Sequence, residues 1–367
     1  MRRLRPLLPF GILLGLALLA VGPLAAPTLT CSDDGAFHLY RAVQLGALLE
    51  AGHFFPRWAP HMAQGYGFPF FNFYAPLSSY AVVGLHWLGL EYPAALKLAF
   101  ALAIWGAGCA AYVLARRRWG ERAGLAAGAA YLFAPYLAYD ALFRGNLAET
   151  TAFVWPPLVL WGLHYAADRS WSGASQRPGR AWLLPAVFYA ALILTHNIFA
   201  LIVSPLLAAY GLLLAWQRRS TLVLFRSGLA LLLGIGLTAY FWLPALAERG
   251  LVHSERLLVA PIFTWYTNFI TPAELLAPPR VEDPLLLNPS PPRTLGLVPV
   301  LLGLPALALA LWAARRRRAE FAHALALARQ GRWSFLRGPS PYDPEHSPLS
   351  TGLRELGLFA VALLGYS

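Results

Sequence analysis

Apolar runs of about 18 residues or more recur from the start of the chain to beyond position 300, divided by short clusters of arginine. A hydrocarbon layer of roughly 30 Å requires runs of that length, and a water-soluble core does not. Composition agrees: 58% of residues are hydrophobic and 13% charged, against roughly 45–50% apolar in a soluble domain. The expected fold class is all-α, a polytopic transmembrane helical bundle.

Candidate spans lie at 6–26, 94–115, 123–142, 150–167, 181–196, 198–216, 227–246 and 294–314, with a shorter run at 353–366, giving about 8–9 in all. The last run, about fourteen residues, is too short to cross comfortably and reads as the start of a further span, cut short. The first run, behind Arg2, Arg3 and Arg5, is read as an uncleaved span and not as a secretory leader. Cys31 at its outer end and Cys109 inside another run make no disulfide pair.

The stretch 73–90, "FYAPLSSYAVVGLHWLGL", decides the orientation of every later span. If it crosses the membrane, the cluster "ARRRWGER" at 115–122 falls outside. If it is interfacial, amphipathic or re-entrant, that cluster falls inside, together with Arg169, Arg177, Arg180, Arg218, Arg219, Arg226, Arg315 to Arg318, Arg329, Arg332 and Arg337. Twenty of the 29 basic residues then share the N-terminal side, which the positive-inside rule makes cytoplasmic. The net charge of +12 is thereby explained by orientation, and no nucleic-acid partner is expected. This choice makes 1–314 a transmembrane domain with outer loops at 27–93, 143–149 and 247–293, an interfacial first outer loop included. A cytoplasmic basic, Pro-rich segment occupies 315–352, and the final run lies at 353–367.

Acidic residues sort to the opposite face, although topology does not force them there. The most concentrated group is "SDDGAFHLYR", Ser32 to Arg41, directly after the first span. It reads as the start of a helix closed by Gly52, with Ser32 or Asp33 as cap. Asp34, His38 and Arg41 follow i, i+4, i+7 and share a face. Asp33 and Asp34 serve either the cap and helix dipole, or as a general base or ligand for a hard cation.

The aromatic and proline-rich "HFFPRWAPHMAQGYGFPFFNFYAPL", His53 to Leu77, has no helical period. An interfacial belt accounts for its phenylalanines, whereas Arg57, Trp58, His61 and Asn72 add ring faces and donors suited to a sugar or headgroup. In "YDALFRGNLAET", Tyr139 to Thr150, Arg144 either pairs with Glu149 or grips a phosphate. His196, at the end of "LILTHNIF", joins the candidates because the topology puts it on the same side. There is no P-loop, dinucleotide glycine pattern, zinc spacing or nucleophile elbow.

On "DDGAFHLYRA", "FPRWAPHMAQGYGFPFFNFYAPLSSY", "FRGNLAET" and "YFWLPALAE" the chain resembles bacterial membrane proteins called 6-pyruvoyl-tetrahydropterin synthase-related; these residues carry no visible pterin chemistry. More broadly it resembles the GT-C superfold of polyprenyl-phosphate-sugar glycosyltransferases. That resemblance implies a multi-pass protein of the bacterial plasma membrane with a lipid-linked donor and an outer-face site. It also implies a first-loop acid, Asp33 or Asp34 by position, as catalytic base or as ligand of a divalent cation such as Mg or Mn, and a later acid, Glu149 or Asp140. The second acid of the pair is Asp where many relatives carry Glu, and no Trp-Trp-Asp signature occurs.

The expectation is therefore a glycosyltransferase-like enzyme moving a sugar from polyprenyl phosphate to an acceptor. Asp34, Asp33 and Glu149 are its catalytic candidates, with Arg144, His38, Arg41, Arg57, Trp58, His61, Asn72 and His196 binding substrate. A transporter or flippase for lipid-linked saccharides, and a non-catalytic assembly partner, are the alternatives.

Overall fold

A computed structural model describes residues 5–29, 32–171, 180–253 and 269–277, with further positions between 294 and 316. The described residues are helical throughout apart from loops and one isolated antiparallel bridge, Ala59 to Phe68. In chain order the helices are α1 (Leu8–Ala20), α2 (Gly35–Glu50), α3 (Phe70–Phe73), α4 (Leu77–Trp87), α5 (Tyr92–Leu132), α6 (Pro135–Tyr139), α7 (Leu147–Ala152) and α8 (Trp155–Trp171). After them come α9 (Leu183–Thr195), α10 (Asn197–Arg218), α11 (Thr221–Leu237), α12 (Ala239–Ala247) and α13 (Pro272–Leu276). Met1–Thr271 with Arg280–Pro292 forms one compact unit; Pro272–Pro279 with Arg293–Ser367 forms another. In the second, Thr294 Oγ1 donates to Leu275 O at 3.3 Å, and the described positions from 300 to 316 are helical. Residues 317–367, with the Pro-rich segment and the final run, and Glu255, Arg256, Tyr266, Glu282 and Asp283 of the long loop lie outside the described residues.

Among the described residues, two helices, Tyr92–Leu132 and Asn197–Arg218, are long and apolar enough to cross a membrane, and a third crossing is counted if α11 and α12 form one bent span. The 8–9 expected include 294–314, described only in part, and 353–366, outside the described residues; within the described residues three of the expected runs are interrupted. The run 123–142 is interrupted before Pro135, and 150–167 breaks between α7 and α8, where Pro156 and Pro157 have no N–H to continue the ladder. The run 227–246 bends by 67° at Thr238. There Ile235 O takes the Thr238 N–H, the Thr238 hydroxyl at 2.9 Å and Trp242 Nε1 at 2.9 Å, so its bond to the next turn is lost. The α4 segment, 11 residues, covers only roughly 16 Å, so by itself it does not cross.

The 41 residues of α5 are not straight. Gly120 has φ 84° and ψ 178°, a backbone state that side-chain-bearing residues avoid. The two halves fold back on each other: a Cβ at Gly128 would lie 2.8 Å from Gly108 O and 3.0 Å from Leu13 Cδ2. The hairpin therefore turns inside the arginine cluster 115–122. Against it pack α1, α4 and α8, while α9, α10 and α11 pack with α8 beyond. Leu13, Ala42, Val82, Leu96, Ile104 and Leu132 form the shared core.

The charged groups divide between the two ends of these helices. At the hairpin turn, Asp168 pairs with Arg117 at 2.6 Å and with Arg218. Asp34, Asp140 and Glu149 gather elsewhere, around the start of α2. Replacing Gly128 with Val forces α1 and both halves of α5 apart. A loss of about 1–3 kcal/mol is expected, as for other overpacked sites. It is read as a lower thermal midpoint in detergent, with Gly11→Val, which meets nothing within 4 Å, as the neutral comparison.

Candidate functional site

The start of α2 is fixed by main-chain bonds to a distant turn. Asp33 N–H donates to Phe143 O at 3.2 Å and Asp34 N–H to Arg144 O at 2.7 Å. Gly145 permits this approach: its φ is 65°, and a Cβ there would lie 2.9 Å from the Gly35 nitrogen. Asp34 occupies the cap position, yet its carboxylate makes no capping bond. The expected side-chain cap by Ser32 or Asp33 is not formed, and the chain just before the helix is held by carbonyls of another segment. Asp33 is exposed and Asp34 half-buried.

The turn that holds Asp34 is itself knotted by charge. Residues Asp140–Arg144 form one π-helical turn. Arg144 Nη1 donates to Asp140 Oδ1 at 2.9 Å, to Glu149 Oε2 at 2.7 Å and to the Tyr136 hydroxyl at 3.3 Å. The Tyr136 hydroxyl donates to Glu149 Oε1 at 2.6 Å, and the Thr150 hydroxyl to Asp140 Oδ2 at 3.0 Å. Asn146 caps α7 by accepting the Glu149 N–H at 3.1 Å. Asp140 is fully buried, a position a carboxylate tolerates only when paired and hydrogen-bonded. Burial disfavours the Arg144 guanidinium, but Glu149, Asp140 and Tyr136 outweigh it and hold its pKa above the ordinary value. Of the two roles open to Arg144, the structure shows the ion pair.

Arg41 differs. Its guanidinium lies 4.4 Å from the centroids of both the Phe70 and Tyr74 rings, and its Nη1 is 3.4 Å from His38 Nε2. It makes no ion pair with a described carboxylate, Asp34 included. The Tyr74 ring also meets those of His38 and His196, at 6.2 and 6.4 Å. His196 Nδ1 accepts the Phe199 N–H at 3.0 Å and so caps α10.

Burial sets the protonation states around this group. Desolvation raises the Asp34 pKa; Arg41 and Arg144 pull it back, and Asp33 and Glu149 push it up. Burial, and then Arg41, hold the His38 imidazole well below its ordinary value, against a hydrogen bond from Asn146, so the ring is neutral at pH 7. Burial pushes the Tyr74 hydroxyl up to about 12.

The structure therefore brings together Asp34, His38, Arg41, Arg144, Glu149 and His196. Asp33 shares the backbone seam, with its side chain in solvent. The other loop candidates form a separate group. Arg57 Nη1 and Asn72 Nδ2 donate to the two oxygens of Glu248, at 2.8 and 2.9 Å, tying the first outer loop to the end of α12. Trp58 lies flat against Gly67, where a Cβ would be 2.6 Å from the indole. His61 is exposed and uses only its backbone N–H, donated to Gln44 at 3.1 Å. Tyr74, Tyr136 and Thr150 were not candidates from sequence. Asp140 was an alternative whose signal is its i, i+4 spacing to Arg144.

Among the described residues no three His, Cys, Asp or Glu side chains converge to hold a metal ion. Asp33 points to solvent while Asp140 and Glu149 are committed to Arg144. The donor set around Asp33 and Asp34 does not fit a divalent cation.

Residues 71–279 match the family described as 6-pyruvoyl-tetrahydropterin synthase related domain; membrane protein. A protein of Lactococcus lactis subsp. cremoris (strain MG1363) named "Uncharacterized protein" is 22% identical over 244 residues, 64% of this chain; the alignment spans 39% of that protein's length. No solved structure matches.

Because Asp34 titrates above its ordinary 3.8, the folded state binds more protons than the unfolded one between 3.8 and the raised value. Stability therefore falls as pH rises through that window, and the cost persists at pH 7. Asp34→Asn is expected to raise the thermal midpoint at pH 7, with the gain vanishing as pH drops below 3.8.

Proposed function

The chain belongs to this family of membrane proteins, and we propose that it transfers a sugar from a polyprenyl-phosphate donor to an acceptor at the outer membrane face, on a GT-C-like bundle. The observation that carries this reading is the pairing, on one face of α2, of a half-buried carboxylate and a cation, Asp34 and Arg41. Neither is neutralised by an ion pair among the described residues.

Those two groups suit a direct displacement. Asp34 takes the proton of the acceptor hydroxyl as its oxygen attacks the anomeric carbon. The bond from that carbon to the phosphate oxygen breaks, and the phosphate leaves with the electron pair and inverts the centre. Its developing charge needs a preorganised cation, which is Arg41. Arg144 and Glu149 act as positioning residues here, because their charges are engaged with each other and with Asp140. Neutral His38 and His196 pack around Tyr74 without adding charge. Trp58, His61, Arg57 and Asn72 offer a ring face and donors for a saccharide further along the loop.

Topologically, the proposal places the N-terminus and the Arg117–Asp168 end in the cytoplasm and the Asp34 end outside, in a bacterial plasma membrane. The short helices α6, α7 and α12 complete crossings that single helices do not, approaching the 8–9 spans expected from apolar length. Single cysteines at Tyr66, 87% exposed, and at Arg122, in a cysteine-free background, should be labelled by an impermeant reagent from opposite sides.

A transporter is the second reading, favoured by the 67° break between α11 and α12, since transporters use discontinuous helices. Reconstituted protein supplied with labelled lipid-linked sugar separates the two. Turnover that falls at least about 10²-fold in Asp34→Asn, the size of a general-base contribution, with Arg41→Gln also impaired, is the expected result. Label crossing the bilayer with the sugar–phosphate bond intact would overturn it.

A further inference from the structure

We infer that the end of the bundle where α5, α8 and α10 meet is a binding site for the phosphodiester headgroup of an anionic lipid. The inference is independent of the chemistry proposed at Asp34.

Asp168, near the end of α8, accepts from Arg117 Nη2 at 2.6 Å and from Arg218 Nη2, and lies 3.5 Å from His164 Nε2. His164 is steadied in turn by the Tyr210 hydroxyl, 3.4 Å from its Nδ1. The Arg117 guanidinium is further held over the Tyr165 ring, 5.1 Å from its centroid. One carboxylate thus orients two guanidiniums from two other helices while cancelling only one of their charges. Each arginine commits a single nitrogen, Nη2, to Asp168. Their remaining edges make no other hydrogen bond with a described residue, and a planar guanidinium edge matches phosphate oxygens in pairs.

Positive-inside orientation needs basic residues near the surface and nothing more. It does not need them fixed in a partly enclosed clasp, yet the side chains of Arg117, Arg218 and Asp168 keep only 29%, 24% and 30% of their exposure. A second observation comes from Gln217, whose amide nitrogen and oxygen are both buried with no partner. It sits seven residues after Tyr210, two turns along the same face of α10, the face that reaches α8. A buried amide without partners costs free energy, and a headgroup seated beside Arg218 would supply an acceptor.

The surroundings choose a lipid over a soluble anion. Leu212, Trp216 and Phe225, on α10 and α11, are 57%, 65% and 65% exposed. Leu212 and Trp216 lie on α10, the helix that ends in Arg218, and Phe225 lies on α11, which follows it and packs against it. Acyl chains against them and a phosphate in the clasp form one continuous amphiphile site, the arrangement of basic headgroup pockets between membrane helices.

Native mass spectrometry of the delipidated full chain, with phosphatidylglycerol or phosphatidylcholine added back, tests this. Phosphatidylglycerol is expected to be retained at least tenfold better. Arg117→Lys with Arg218→Lys, which keeps the charge and folds without leaving Asp168 unpaired, should remove most of that preference. Arg122→Lys with Arg219→Lys, on exposed neighbours, should leave it intact. Equal retention of both lipids, equal losses in both lysine pairs, or no loss in the first pair would overturn the proposal. So would inorganic phosphate alone filling the site to the same occupancy.

Discussion

A hydrogen bond of 2.7 Å from Asp34 N–H to Arg144 O joins two parts of the chain more than a hundred residues apart, and the acidic end of the molecule is organised around it. The bond requires Gly145 in its left-handed state and the π-helical turn Asp140–Arg144 in front of it. That turn is held by the buried Asp140, which has to be satisfied by Arg144 and Thr150 or not buried at all. The electrostatic knot is thus a scaffold: it uses two carboxylates and one guanidinium to place a third carboxylate, Asp34, which makes no ion pair with a described residue.

The opposite end uses the same materials in inverse proportion. At Asp168 one acid orients two arginines, whereas at Arg144 one arginine orients two acids. Each end thus carries more groups of one sign than of the other. The helices between them carry few charges and pack through small residues: Gly108 against Gly128, and Gly124 against Tyr112.

Much of this was legible in the chain. The hairpin in "ARRRWGER" came from an arginine cluster between two apolar runs, and Gly120 now supplies its turn. The helix after Asp34 ends as read, with Gly52 at φ 87°. The shared face of Asp34, His38 and Arg41 followed from local period. The breaks within the apolar runs did not, because apolar length says nothing of where Pro135, Pro156 or the Thr238 hydroxyl interrupts a ladder. Nor did the partition of the first-loop candidates. Arg57 and Asn72 meet Glu248 across a separation that no spacing rule reaches, and Tyr74 carries no local mark of its place under Arg41. For Arg144 the sequence leaves pairing with Glu149 and gripping a phosphate both open, because a guanidinium between two spans demands a partner; in the fold Glu149 and Asp140 are its partners.

The pairing of Arg144 bears on which cation at this end keeps an uncompensated charge. A guanidinium fixed by carboxylates is well oriented, but its field is largely cancelled. Stacking on aromatic faces orients the group through the ring quadrupole and leaves the net charge in place. Phe70 and Tyr74 do this for Arg41, and the packing of His38 and His196 around Tyr74 adds no charge at neutral pH on the His38 side. Had Arg41 closed onto Asp34 as an ordinary i, i+7 neighbour, base and cation would have silenced each other. With Arg41 held over Phe70 and Tyr74 instead, a half-buried carboxylate and a cation share one helical face without an ion pair between them.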